Sequence, residues 1–171
     1  MKAGTVLPDG ILFRRALPGD APCLAQLRLD FMRLVKNGGQ HDEEAWRTEL
    51  EELFSRDLDR GSLVCWVCAV GNRLVGASGV AFGDRAQAPV RAAPVWSAGE
   101  AGSSEALILN MYTVPEYRRR GIAGALLDRC IGEARTRGVG RLRLQPTEEG
   151  RRLYEGRGFR TLGEDMVLDL A

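Results

Sequence analysis

Histidine is nearly missing from this chain: His41 is the only one in 171 residues. It stands in the polar stretch Gly38-Gly39-Gln40-His41-Asp42, which reads as a loop. A Ser-type or Cys-type catalytic triad needs an oriented base, and a lone loop histidine is a poor one. Cysteine is scarce too. Of the four, only Cys65 and Cys68 have the close spacing of a zinc or redox pair. They fall inside the apolar run Leu63 to Val70, which reads as a buried strand. Residues three apart on a strand point to opposite faces, so the two thiols diverge. No second pair follows, so they read as small core residues and no metal is expected.

Long apolar runs are also lacking. A bilayer span takes roughly 20 such residues, and none of that length occurs. Met1 to Pro18 carries scattered charges rather than the apolar core of a signal peptide. These absences predict a cytoplasmic protein with no membrane partner. Neither sign of charge dominates, with Lys+Arg 24 against Asp+Glu 23 and a formal net charge of +1. That balance gives no support to a nucleic-acid partner. Two phosphate motifs are missing as well: GxxxxGK[ST], and GxGxxG with an acidic residue about 20 positions on. Nucleotide hydrolysis on a P-loop and dinucleotide binding on a Rossmann turn are thereby set aside.

What is present is an ordinary globular composition, 44% hydrophobic and 27% charged, which excludes wholesale disorder. The length suits one domain. Ile11 to Ala16 reads as a strand, and Asp20 as the cap of a helix over Ala21 to Val35. Leu24, Leu27, Phe31, Leu34 and Val35 form that helix's apolar stripe. A second helix, from about Asp42 to Leu58, presents Trp46, Leu50, Leu53 and Phe54. Leu63 to Val70 and Leu74 to Phe82 flank Gly71-Asn72-Arg73 as an antiparallel hairpin. Gly83 to Ser104 has no periodicity and reads as a long loop holding Trp96. The uncharged run Ala106 to Val114 predicts a strand buried on both faces. A helix to about Arg137, a strand over Arg141 to Leu144, a short helix over Glu149 to Arg157 and a strand within Phe159 to Leu170 complete the chain. The order is β-α-α-β-β-β-α-β-α-β, without repeat or linker. It predicts a single α/β domain over residues 1–171 with a mixed central sheet flanked by helices.

The chemistry concentrates where Arg118-Arg119-Arg120-Gly121-Ile122-Ala123-Gly124 opens a helix. The first N–H groups of a helix lack intrahelical partners, and its dipole adds positive charge there. Gly121 and Gly124 carry no side chain to block a phosphate, and Ala123 carries little. Three arginines add charge at the mouth. A phosphate-binding turn, an exposed arginine-rich helix start and a nucleic-acid contact all fit this pattern on spacing alone.

Arg118-x-x-Gly121-x-Ala123 resembles the [QR]-x-x-G-x-[GA] signature of the GNAT superfamily of N-acyltransferases. Met111 to Tyr117 resembles that family's strand and bend, and Leu153-Tyr154-Glu155-Gly156-Arg157-Gly158-Phe159 is similar to its LYExxGF segment. The likeness is strong over Ala106 to Phe159 and extends earlier only in the order of elements. It implies a sheet whose central strands splay apart, and transfer of an acetyl group from acetyl-CoA directly to an amine of a small molecule or peptide. Met111, Tyr112 and Thr113 would then meet the pantetheine arm, and the backbone of Arg119 to Gly124, with Arg118 and Ile122 around it, the pyrophosphate. Tyr154 takes the place of a tyrosine that protonates the departing thiolate, or else only packs against the sulfur. Glu105 is the best-placed carboxylate for a general base, or is simply solvated. Gln145, near a position where relatives carry glutamate, cannot take a proton. Asn110 would orient a water or satisfy a neighbouring backbone group, and Thr147 would cap the Tyr154 helix. Residues 32–58 and 83–104 would shape the acceptor side, and Asp42, Glu43 and Glu44 there would draw a cationic amine or merely begin a helix. A non-catalytic module that senses acyl-CoA would need the same cofactor motifs. The resemblance also permits a homodimer through an open sheet edge.

Overall fold

The apolar runs pair into one sheet in the order β1-β2-β3-β4-β5-β6-β8-β7. Its strands are β1 (Thr5–Val6), β2 (Ile11–Arg15), β3 (Leu63–Val70), β4 (Arg73–Ala81), β5 (Glu105–Thr113), β6 (Arg141–Leu144), β7 (Arg160–Leu162) and β8 (Asp165–Asp169). The helices are α1 (Ala21–Val35), α2 (Glu43–Asp59), α3 (Ile122–Thr136) and α4 (Arg151–Glu155). This computed structural model describes residues 5–6, 10–35, 42–82 and 105–170. His41 and the long loop with Trp96 lie outside the described residues. Only β5 and β6 run parallel; every other neighbouring pair is antiparallel.

The hairpin of β3 and β4 forms as its Gly-Asn turn predicts, with Gly71 at φ 57°. Cys65 and Cys68 are both buried in β3 as parts of the core. Asp42 caps α2, accepting from the Ala45 N–H at 3.2 Å. Asp20 acts differently from expectation. It ends a 3-10 turn, accepts from the Leu17 N–H at 2.8 Å, and holds the Arg14 guanidinium at 2.7 and 2.8 Å. Its shortness as a carboxylate suits both roles, and α1 begins immediately after it.

Four other expectations are corrected. The last strand is two strands, because Gly163 at φ 63° turns the chain between β7 and β8. Thr5–Val6 adds a short first strand beside β2. β5 is only half-buried on alternate residues, since β6 accompanies it for three residues and leaves the rest open on that side. In α1 the buried set runs from Ala21 to Met32, while Leu34 and Val35 stand 59% and 47% exposed. The predicted stripe therefore overhangs the core. On the other hand α3 buries Ile122, Leu126, Leu127, Cys130, Ile131 and Ala134 as its 3.6-residue pattern requires. Among the described residues, no helix is long and apolar enough to cross a membrane.

Candidate active site

The site begins at a defect in β5. Ala77 pairs with Tyr112 and Gly79 with Leu109, so Asn110 and Met111 together face Ser78. Two residues against one make a β-bulge, which bends its strand. Asn110 supplies the bend with a left-handed backbone at φ 56°, a conformation asparagine tolerates better than most residues. Asn110 thus contributes through its backbone. β5 and β6 lie side by side only from Glu105 to Leu107 and Arg141 to Arg143, and the bulge follows where that pairing has ended.

Beyond β5 the chain makes a 3-10 turn at Pro115–Tyr117 and enters α3 through Arg119 at φ 62° and Gly121 at φ 78°. Two left-handed residues so close together curl the backbone before the helix. Among the described residues, no backbone carbonyl accepts from the N–H groups of Arg119 to Gly124; the first to be taken is Ala125, which donates to the Gly121 carbonyl at 3.0 Å. Six consecutive amides at the positive end of a 15-residue helix form an anion cradle. A Cβ on Gly121 would meet nothing within 4 Å, so the space above this amide is open.

A cleft of about 650 Å³ runs past this cradle. It gathers Met111, Tyr112 and Thr113 from β5, Arg118, Arg119 and Gly121 to Gly124 from the turn and helix, and Tyr154 from α4. Arg118 is fixed in place: its Nε donates to the Thr113 carbonyl at 3.0 Å and its guanidinium lies 5.7 Å from the centre of the Tyr112 ring. The Thr113 hydroxyl is buried without a partner. Thr147 lines the cleft and accepts from the Gly150 N–H at 3.2 Å in the turn before α4; it does not cap that helix as expected, because the N-cap is Gly150, which has no side chain to do so. Gly124 differs from Gly121 in having no open space beside it. Arg157, paired with Asp128 at 2.7 Å, crosses it so closely that a Cβ would lie 2.4 Å from the guanidinium.

Two expected residues stand apart from the cleft wall. The Arg120 side chain is exposed, donates to the Glu116 carbonyl at 3.4 Å and lies 5.0 Å over the Tyr117 ring. Glu105 is the other. It opens β5, five residues before Asn110 and so about 16 Å along the strand. Its carboxylate is 3.2 Å from the Arg141 guanidinium, which also holds Asp169 at 2.6 Å. Its carboxylate is tied into that network, and Glu105 is not among the residues that line the cleft.

Tyr154 is 6% exposed, with its ring edge-on to Phe159 at 5.8 Å. Burial, and secondarily the nearby Cys130, push its hydroxyl up to about 12. It is therefore a neutral donor across the physiological range. Cleft residues beyond the sequence expectation are Phe31, Leu34 and Val35 of α1, and Glu148, Glu149, Gly150 and Leu153 around the start of α4. The run of the α1 stripe past the last buried turn was the available signal for the first three.

Comparison with known proteins agrees with this geometry. Residues 26–159 match the family model described as the acetyltransferase (GNAT) family. No curated protein matches the sequence. Among solved structures, a predicted acetyltransferase from Clostridium acetobutylicum, crystallised with acetyl-CoA, is 27% identical with a TM-score of 0.73, over 90% of this chain and 92% of that one. A GCN5-related N-acetyltransferase from Ralstonia eutropha shares the fold at 24% identity and a TM-score of 0.71, over 91% and 95% of the two chains. So does the PaiA N-acetyltransferase of Thermoplasma acidophilum in complex with coenzyme A, at 18% and 0.65, over 92% and 96%. With the bulged strand, the amide cradle and a family match over most of its length, this chain belongs to the acetyltransferase (GNAT) family.

Proposed function

We propose that this protein transfers an acetyl group from acetyl-CoA directly to a primary amine of a small molecule or peptide. The observation that carries the reading is the row of six unaccepted N–H groups, Arg119 to Gly124, at the mouth of a cleft lined by β5 and Tyr154. That donor set fits a pyrophosphate, and an extended arm reaching from it along β5 would pass the Thr113 hydroxyl, an orphaned buried polar atom. Bound acetyl-CoA supplies an activated acyl group as a thioester.

The chain's own residues bind and orient. The backbone of Met111 and Thr113 pairs with the pantetheine arm, and Tyr112 backs Arg118 as it adds positive charge beside the diphosphate. Ile122 anchors the first turn of α3 in the core, with Ala123 and Gly124 lining the cleft beside it. The amine nitrogen bonds to the acetyl carbon, the carbon–sulfur bond breaks, and the Tyr154 hydroxyl donates to the departing sulfur. A phenol pushed up to about 12 gives its proton uphill to a thiolate whose conjugate acid lies near roughly 8.5, so its main effect is a hydrogen bond that strengthens as charge grows on sulfur. The acceptor enters as the free amine and its surplus proton passes to water, with no part for Glu105.

Calorimetric titration with acetyl-CoA, followed by amine-dependent thiol release, tests the reading. Saturable binding with turnover is expected. Binding with no turnover on any amine would instead leave an acyl-CoA-sensing module, and no binding by folded, empty protein would remove the cofactor site altogether.

A further inference from the structure

We infer that the acceptor is a monoamine on an apolar skeleton, an alkyl- or arylalkylamine, rather than a polyamine or other polycation. The inference rests on the acetyl-transfer reading and deepens it. It begins with the wall of the cleft left over once the β5 backbone, the amide cradle and Tyr154 are engaged. Phe31, Leu34 and Val35 stand at i, i+3 and i+4 in the last turns of α1, so they share one face of the helix. All three line the cleft. Leu34 and Val35 are two of only four large apolar side chains that are exposed among the described residues. Single exposed leucines are ordinary, but three apolar residues on one concave wall are a patch.

Charge on that wall is already spent. Arg33, between them in sequence, is held by Asp30 at 2.8 Å and by Glu43. Phe31 is held rigid, edge-on to Tyr112 at 6.2 Å, and Tyr112 is stacked beneath Arg118. The carboxylates among the described lining residues, Glu148 and Glu149, are exposed in the turn that leads to the Tyr154 helix and not on α1. The reacting nitrogen enters as the free amine, while a second, charged ammonium laid along α1 would lose water against apolar carbon, with no carboxylate among the described cleft-lining residues of α1 to replace it.

The test compares n-hexylamine with 1,6-diaminohexane, which differ by one terminal ammonium, and adds the series from propylamine to hexylamine. Expected is a kcat/KM at least tenfold higher for hexylamine than for the diamine, with about a fourfold gain per methylene along the series. Leu34→Asp, at an exposed site, should narrow or reverse the preference while Tm stays unchanged. A diamine used as well as hexylamine, or a flat chain-length series, would overturn the inference. Should acetyl-CoA itself fail to bind, the functional reading falls separately. Calorimetric binding of the two amines to wild-type protein and Leu34→Asp then decides the apolar wall on the same ranking.

Discussion

Gly76 on β4 lies against Ile122 at the first position of α3, so closely that a Cβ on the glycine would fall 3.2 Å from Ile122 Cγ2. The same atom would be 3.3 Å from the Tyr112 carbonyl and 3.4 Å from Leu126. A strand residue without a side chain thus sets how near the helix start can sit to the sheet, and with it where the free amides point. Gly76→Val should cost about 1–3 kcal/mol of stability through overpacking and weaken acetyl-CoA at least tenfold. Denaturant unfolding and calorimetry read the two effects. Unaltered affinity would show that the helix start is fixed by something other than β4.

Asn110 holds the bulge at φ 56°. Asn110→Gly should leave stability and turnover close to wild type, because glycine adopts this backbone freely. Asn110→Val should lose about 1–2 kcal/mol and most of kcat, since a β-branched residue resists the left-handed region and would straighten the strand. Equal behaviour of the two variants would argue against the bulge as the source of the cleft.

Tyr154→Phe removes one oxygen from a packed ring. The aromatic contact with Phe159 remains, so Tm should shift little and the acetyl-CoA Kd should change less than about twofold. Turnover should fall about 100-fold, within the range for loss of one hydrogen-bond donor to charge that develops in the transition state. Full retention of kcat would assign the ring to packing alone.

Alkaline pH gives an independent reading of the core. Burial pushes Tyr154 up to about 12, Cys130 to about 12 and Cys68 to about 11, each above its ordinary value. Between those ordinary values and the raised ones the unfolded chain has lost protons that the folded protein keeps. Stability should therefore be flat below about pH 9 and fall as pH rises toward 12. Tyr154→Phe should make the fall shallower above pH 10. A variant that tracks wild type throughout would mean that the hydroxyl ionises freely in the native state.

Much of this was open to reading from local pattern. The stripe of α3, the hairpin around Gly71 and the Gly121 turn each depend on residues a few positions apart, where spacing and backbone preference act directly. The surroundings of Glu105 were not legible, because its ion-pair partner Arg141 is 36 positions away in the chain. Leu34 and Val35 were assigned to the core because their spacing is that of a buried stripe, and spacing does not say where the sheet beneath a helix ends.

By itself, then, the amino-acid order determined the elements, the arginine-glycine helix start and the tyrosine that follows it, because hydrogen bonding within a helix or turn is settled by near neighbours. The tertiary structure alone decided that Asn110 bends β5 after three residues beside β6, that Arg157 crosses Gly124, and that the end of α1 overhangs the cleft. Those are contacts between segments far apart in the chain, and their outcome depends on how the whole core packs.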